Sequence, residues 1–317
     1  MDRRRFLAAA AVPAIAAAGR LAPLRAAEEP NAEWRRFAVT TEVSLAAAAP
    51  ASLWLPIAQA APSYQRTLSL GWQGTADRAE LVDDPVYGAR ALRLTWAPSG
   101  AARTVRVTQT VETRDRDGLP DPASSAERAF FLKPTASMPT DGIVRETADK
   151  IVAGKTAPRE RARAIYDWVV DNTFRDSATR GCGIGNIANM LKTGFLGGKC
   201  ADISSLTVGL CRAAGIPARE VYGIRVAASR RFARLGAAGD ITKAQHCRAE
   251  IYLEPAGWTP VDPADLRKVV LEAKLALDSP PVQALRERLF GSWEMNWVGY
   301  NSARDFTPPA RRTRSIS

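Results

Sequence analysis

The chain of 317 residues contains a single histidine, His246, and only four cysteines, at positions 182, 200, 211 and 247. One histidine excludes the H-E-x-x-H zinc hydrolases, which need two on one helix face. The cysteines show no C-x-x-C spacing, so neither a zinc ribbon nor a thioredoxin-type motif is present. There is no G-x-S-x-G elbow and no Walker A loop. "GCGIGN" is one spacing short of G-x-G-x-x-G and follows no clear strand. Aromatic residues make up 7% of the chain and are not interleaved with its basic residues, so a base-stacking surface is not expected. The net charge of +11 is scattered rather than striped, and no nucleic-acid partner is predicted. No apolar run reaches the roughly 17–25 residues that a membrane-spanning helix needs.

What is present begins with the N-terminus. "MDRRRFLAAAAVPAIAAAG" places Arg3-Arg4 before Phe6-Leu7 and an Ala-rich apolar run, the pattern R-R-x-F-L of a twin-arginine export signal. Residues 1–27 are therefore expected to be a signal peptide, cleaved near Ala26–Ala27. The mature chain is expected to be exported, in a periplasm or comparable compartment, with no integral membrane segment.

Two periodicities follow. Residues 28–117 read as a β-domain: Val105, Val107 and Val111 alternate with Arg106, Thr108 and Thr110, and short strands such as "ASLWLPIA" and "ARALRLTW" are separated by turn residues. The spacing predicts an antiparallel, all-β sandwich-like domain. Residues 118–142, rich in Pro, Ser and Gly, read as a linker. Residues 143–275 switch to helical periodicity and then back to strands. "TAPRERARAIYDWVVDN" predicts an amphipathic helix with Thr156 as N-cap and Pro158 in the first turn; "REVYGIRV", "AQHCRAEIYLE" and "GWTPVDP" predict strands. Helices followed by strands indicate an α+β domain with helices packed on an antiparallel sheet. Residues 276–317 read as an extension with one strand and a disordered basic tail.

The chemistry centres on "GGKCADISSLTVGLCRAAGIP". Cys200 opens a helix, where unpaired N–H groups and the helix dipole favour a thiolate. A thiol nucleophile needs a base, and His246 is the only imidazole available. A turn at Glu254–Gly257 brings Asp262 back beside it to hold the second ring nitrogen, with Asp265 as the alternative. Asp262 before Pro263 also suits turn chemistry. Asp202, in the first helical turn, suits the capping of free N–H groups. Cys211 and Cys247 read as core residues, and Cys182 as a residue near the site entrance.

The pieces "YDWVVDNTFRD", "TRGCGIGN", "GGKCADISSLTVGLCRAAGIPAREVYGIRV" and "HCRAEIYLEPAGWTPVDPAD" resemble the transglutaminase-like superfamily, in particular its bacterial exported branch. The resemblance implies a papain-like α+β core in which Cys200 is the nucleophile, His246 the general base and Asp262 the orienting acid. It implies acyl transfer from protein or peptide amides through a thioester on Cys200, with hydrolysis, as in a cysteine peptidase or amidase, the favoured outcome. A protein-crosslinking transglutaminase and a non-catalytic envelope-binding or assembly protein are the alternatives. No acidic cluster resembles the calcium sites of better-known members, so neither metal nor cofactor is expected.

Overall fold

The computed structural model describes residues 33–46, 49–61, 63–98 and 101–308, with the backbone of 314–315. The expected export segment, residues 1–27, lies outside the described residues. Strands β1 (Arg35–Leu45), β2 (Ala51–Pro56), β3 (Gln65–Gly74), β4 (Arg78–Asp83), β5 (Arg90–Trp96) and β6 (Arg103–Thr113) form two antiparallel sheets, with orders β1-β6-β3 and β4-β5-β2. Their facing residues Leu55, Leu92, Leu94, Trp96, Val105 and Val107 make a shared core. Along β6, alternate positions are buried, as the period of two requires. The backbone of Arg314–Ser315 pairs with β4, so this part of the tail expected to be disordered adds a short strand.

The segment 118–142 is packed rather than a free linker. After β7 (Arg116–Asp117) comes α1 (Ser125–Phe130), capped by the Ser124 hydroxyl, which accepts from the Glu127 N–H at 3.1 Å. Phe131 then stacks edge-on against Trp258 at 5.4 Å, and Met138 is buried in the main core. Its turn-forming composition marks bends in a path whose apolar residues are anchored.

Next come α2 (Gly142–Val152), α3 (Pro158–Asn172), β8 (Phe174–Arg175), α4 (Ile187–Thr193), β9 (Gly197–Gly198) and α5 (Cys200–Ala213). On α3, Ala162, Ile165, Tyr166 and Val169 share the buried face, as their spacing predicts. Its N-cap is Ala157, not Thr156, and no side chain caps it; Pro158 at the first position lacks an N–H to satisfy. Every residue of α5 is buried, which makes it the central helix of the core.

Helix α5 lies against an antiparallel sheet of β10 (Ala218–Arg225), β11 (Gln245–Leu253), β12 (Gly257–Val261) and the later β14 (Trp297–Asn301), in the order β12-β11-β10-β14. Between β12 and β14 come α6 (Pro263–Glu272), α7 (Pro280–Arg288) and β13 (Ser292–Trp293). The residues beyond 275, expected to be an extension, therefore complete the central sheet.

The β-layers are tied to this core by hydrogen bonds, a buried ion pair and a strand pairing. Gln65 donates to the Gly299 carbonyl at 2.7 Å and accepts from its N–H at 2.8 Å. Arg116 forms a buried ion pair with Glu250 of β11, and β7 pairs with β13. The described residues accordingly form one compact unit.

Candidate active site

Cys200 sits at the first position of α5 and is 4% exposed. Two loops converge on it. The Gly197-Gly198 pair leads directly into the helix, and a side chain at Gly198 would place its Cβ 2.5 Å from Asp202 Cβ. On the other side, Gly183 has φ +97°, and a Cβ there would overlap the Asp202 carboxylate. Asp202 binds both loops: it accepts from the Lys199 N–H at 3.0 Å, from Ile184 at 3.0 Å and from Gly185 at 2.8 Å. The capping role expected of Asp202 thus extends to the loop that carries Cys182. That loop is also held by the Ala201 N–H, which donates to the Cys182 carbonyl at 2.9 Å.

Arg304 supports the arrangement from the C-terminal segment. It donates to Glu220 at 3.0 Å, to Ser205 at 2.9 Å, and to the carbonyls of Ile184 and Gly185 at 3.1 and 2.8 Å. Nothing in the sequence marked this arginine, because its partners lie 84 to 120 positions away.

His246 is the second residue of β11. Both faces of this strand are covered, and His246 is 3% exposed. Its Nε2 lies 2.8 Å from Oδ2 of Asp262 and 3.3 Å from Oδ1 of Asp265. The indole N–H of Trp297 donates to the His246 carbonyl at 3.0 Å and fixes the backbone. Asp262 is the N-cap of α6, its Oδ1 accepting from the Asp265 N–H at 2.9 Å. Turn chemistry and contact with the imidazole, two readings of this residue, thus use different oxygens of one carboxylate.

Asp265 pairs with Arg225, with N–O distances of 2.5 and 3.2 Å. Burial opposes ionisation of Asp265, but Arg225 and then His246 outweigh it and hold the pKa far below the usual carboxylate value. Asp262 shifts up, through burial and then the charge of Asp265. At His246 the largest influence is again burial, which with Arg225 disfavours the imidazolium. Asp265 and Asp262 overcome both, so the pKa is raised. Arg248, stacked on Trp297 at 4.8 Å and 3.4 Å from Asp262, is lowered by burial to about 10.

The third sequence-predicted residue, Cys200, has two other thiols beside it. The sulfurs of Cys182, Cys200 and Cys247 lie within 4.8 Å of one another. Cys247, the residue after His246 on β11, brings its sulfur to Cys200 at the start of α5. Strand parity placed Cys247 on the core face, but only the fold shows that this face meets the start of α5. Cys211 is wholly buried and burial pushes its thiol up to about 12.

A thiol at a helix start, an imidazole held by a carboxylate, and helices on an antiparallel sheet define the class: an α+β protein with a cysteine, a histidine and an aspartate gathered on neighbouring elements. The chain belongs to the transglutaminase-like superfamily. The family model described as Transglutaminase-like superfamily matches residues 145–263, which include Cys200, His246 and Asp262. An uncharacterised protein of Haemophilus influenzae is 40% identical over 276 residues, which cover 80% of this chain and 74% of that protein. Among solved structures, a candidate cysteine protease from Cytophaga hutchinsonii shares the fold, with a TM-score of 0.57 and 20% identity over 90% of this chain and 96% of that one. Among the described residues, no helix is long and apolar enough to cross a membrane.

Proposed function

We propose that this protein is an exported thiol hydrolase that cleaves amide bonds of proteins or peptides through an acyl-enzyme on Cys200. The observation that carries the reading is the His246–Asp262 contact of 2.8 Å, in a buried site next to the helix that Cys200 opens. With Nε2 turned to Asp262, Nδ1 is the nitrogen available to exchange a proton with the thiol and the leaving amine. The thiolate of Cys200 attacks the amide carbon, and the C–N bond breaks as His246 protonates the departing nitrogen. Water, deprotonated by His246, then releases the acid. The N–H of Cys200, at the start of α5, is a natural donor to the oxyanion. Export rests on the twin-arginine pattern at Arg3-Arg4.

The test is a peptide library incubated with the purified chain, quenched in acid and read by intact mass, with and without an added primary amine. Expected are an acyl adduct on the peptide containing Cys200 and net release of acid. Release that requires the amine would instead identify a crosslinking transglutaminase. No adduct with any peptide, with Cys200 no more reactive than a simple thiol, would sink the enzymatic reading.

A further inference from the structure

Three of the four thiols meet at one point, and acyl transfer uses only one. Cys182, Cys200 and Cys247 are all free, with their sulfurs within 4.8 Å. Cys211 is about 16 Å along α5 from Cys200 at 1.5 Å per residue, which leaves it outside the cluster. Packing accounts for Cys247, which is buried in the main core. Cys182 packs only at the edge of that core: it is half-buried on a loop, with its thiol 4.0 Å from the Gln245 carbonyl and two sulfurs beside it.

The positions of the three sulfurs differ in a way that orders their chemistry. Cys182 is the most exposed, and the loop that carries it has glycines at φ +60° and +97° on either side, at 181 and 183. Cys200, with its sulfur within 4.8 Å of that of Cys182, is nearly inaccessible. Cys247 is fixed on a central strand. Hydrogen bonds from Cys200 and then Cys247 lower the pKa of Cys182 to about 3 against the effect of burial, with Arg175 and Lys199 adding positive charge. A half-exposed thiolate with a second thiol in reach has the features of a redox-sensitive cysteine. Bonding to Cys200 needs a closure of at most about 3 Å from a spacing within 4.8 Å, given an S–S bond of about 2.05 Å.

We propose that Cys182 and Cys200 form a reversible regulatory disulfide on exposure to a hydroperoxide, with Cys182 oxidised first. The Cys182 thiolate attacks the outer oxygen of the peroxide, the O–O bond breaks, and the alkoxide leaves as an alcohol after taking up a proton. Cys182 is now a sulfenic acid. The Cys200 sulfur then attacks Cys182 Sγ and displaces hydroxide, which combines with the Cys200 proton as water. In sum, two thiols and one hydroperoxide give one disulfide, one alcohol and one water. An external dithiol reverses it by exchange. The disulfide stands on the sulfur geometry alone. Its consequence, an enzyme switched off with its nucleophile shielded from irreversible sulfinic acid formation, rests on the proposed role of Cys200.

The test uses the full exported chain, reduced with a dithiol, desalted, and treated with one equivalent of tert-butyl hydroperoxide. Non-reducing peptide mapping by mass spectrometry is the readout, with a free-thiol count beside it. Expected are the loss of two of the four thiols, a peptide pair linked through Cys182 and Cys200, and full recovery with dithiol. Cys247→Ser retains the linked pair; Cys182→Ser and Cys182→Ala lose it and accumulate oxygenated Cys200. A link from Cys182 to Cys247, oxygenation without any link in the wild type, or a cluster that resists peroxide because co-purifying zinc occupies the three sulfurs would each overturn the proposal. Alkylation of Cys200 before oxidation is scored separately. A disulfide without fast alkylation upholds the redox pair and removes the nucleophile; fast alkylation without a disulfide does the reverse.

Discussion

Nε2 of His246 lies 2.8 Å from Oδ2 of Asp262, while the other oxygen of that carboxylate caps α6 through the Asp265 N–H. One side chain therefore sets both the orientation of the imidazole and the start of the next helix. These two tasks are separable by mutation. Asp262→Asn retains an oxygen to cap the helix, but an amide in place of the charge that favours the imidazolium. Expected is a fall in kcat/KM of about 10²–10⁴-fold with little loss of stability. Asp262→Ala adds a capping loss of about 1 kcal/mol, read as a lower urea midpoint. Equal midpoints for the two variants would contradict the division of labour.

His246 carries a pH signature. Burial, the largest influence, and Arg225 lower its pKa, yet Asp265 and Asp262 leave it raised. An unfolded chain releases this proton near pH ~6.5, whereas the folded chain holds it to higher pH. The stabilisation is therefore complete below about pH 6.5 and is lost as pH rises through the folded value. Urea midpoints across the neutral and alkaline range should show this fall in the wild type and a flatter profile in Asp262→Asn. A midpoint that rises with pH through that window specifically because of His246 would contradict the assignment.

Gly198 is the point where the entry strand touches α5. A methyl group would meet Asp202 Cβ at 2.5 Å and must displace the carboxylate that holds both flanking loops. Gly198→Ala should cost about 1–3 kcal/mol and slow any reaction of Cys200. A variant with unchanged melting and unchanged Cys200 reactivity would show that the close approach is dispensable.

Arg304 and Glu220 are 8% and 2% exposed at their side chains and 3.0 Å apart. Arg304→Ala leaves a buried carboxylate without its cation and frees the carbonyls of Ile184 and Gly185. Expected is a loss of about 3–5 kcal/mol in chemical denaturation, with partial recovery in the double variant Arg304→Met, Glu220→Gln. Full additivity of the two substitutions would show that the pair is not coupled.

Much of this molecule was legible in the sequence where local chemistry decides the structure. Valines alternating along β6 and the 3.6-residue spacing on α3 fixed which faces are buried, and the isolated histidine left one candidate for a base. The Asp262 pairing was readable because β11 and β12 are adjacent strands joined by a tight turn. Long-range partners were not readable. Arg304 meets Glu220 only because β14 returns beside β10, and Cys182 meets Cys200 and Cys247 only through the packing of a glycine-bent loop on α5. The segment 118–142 misled because composition reports turns but not which aromatic residues are anchored. The choice of Thr156 as N-cap failed for a local reason: Pro158 at the first helical position made Ala157 the cap.

The central claim, that Cys200 is a nucleophile activated by His246, is tested most directly by the rate of iodoacetamide alkylation at Cys200 from pH 5 to 8, measured by peptide mapping on the dithiol-reduced chain. The account predicts a Cys200 rate well above that of an ordinary thiol at the acid end. That rate should fall in His246→Ala, with no label at this peptide in Cys200→Ala. A Cys200 rate that merely follows a free thiol, unchanged by His246→Ala, would contradict it.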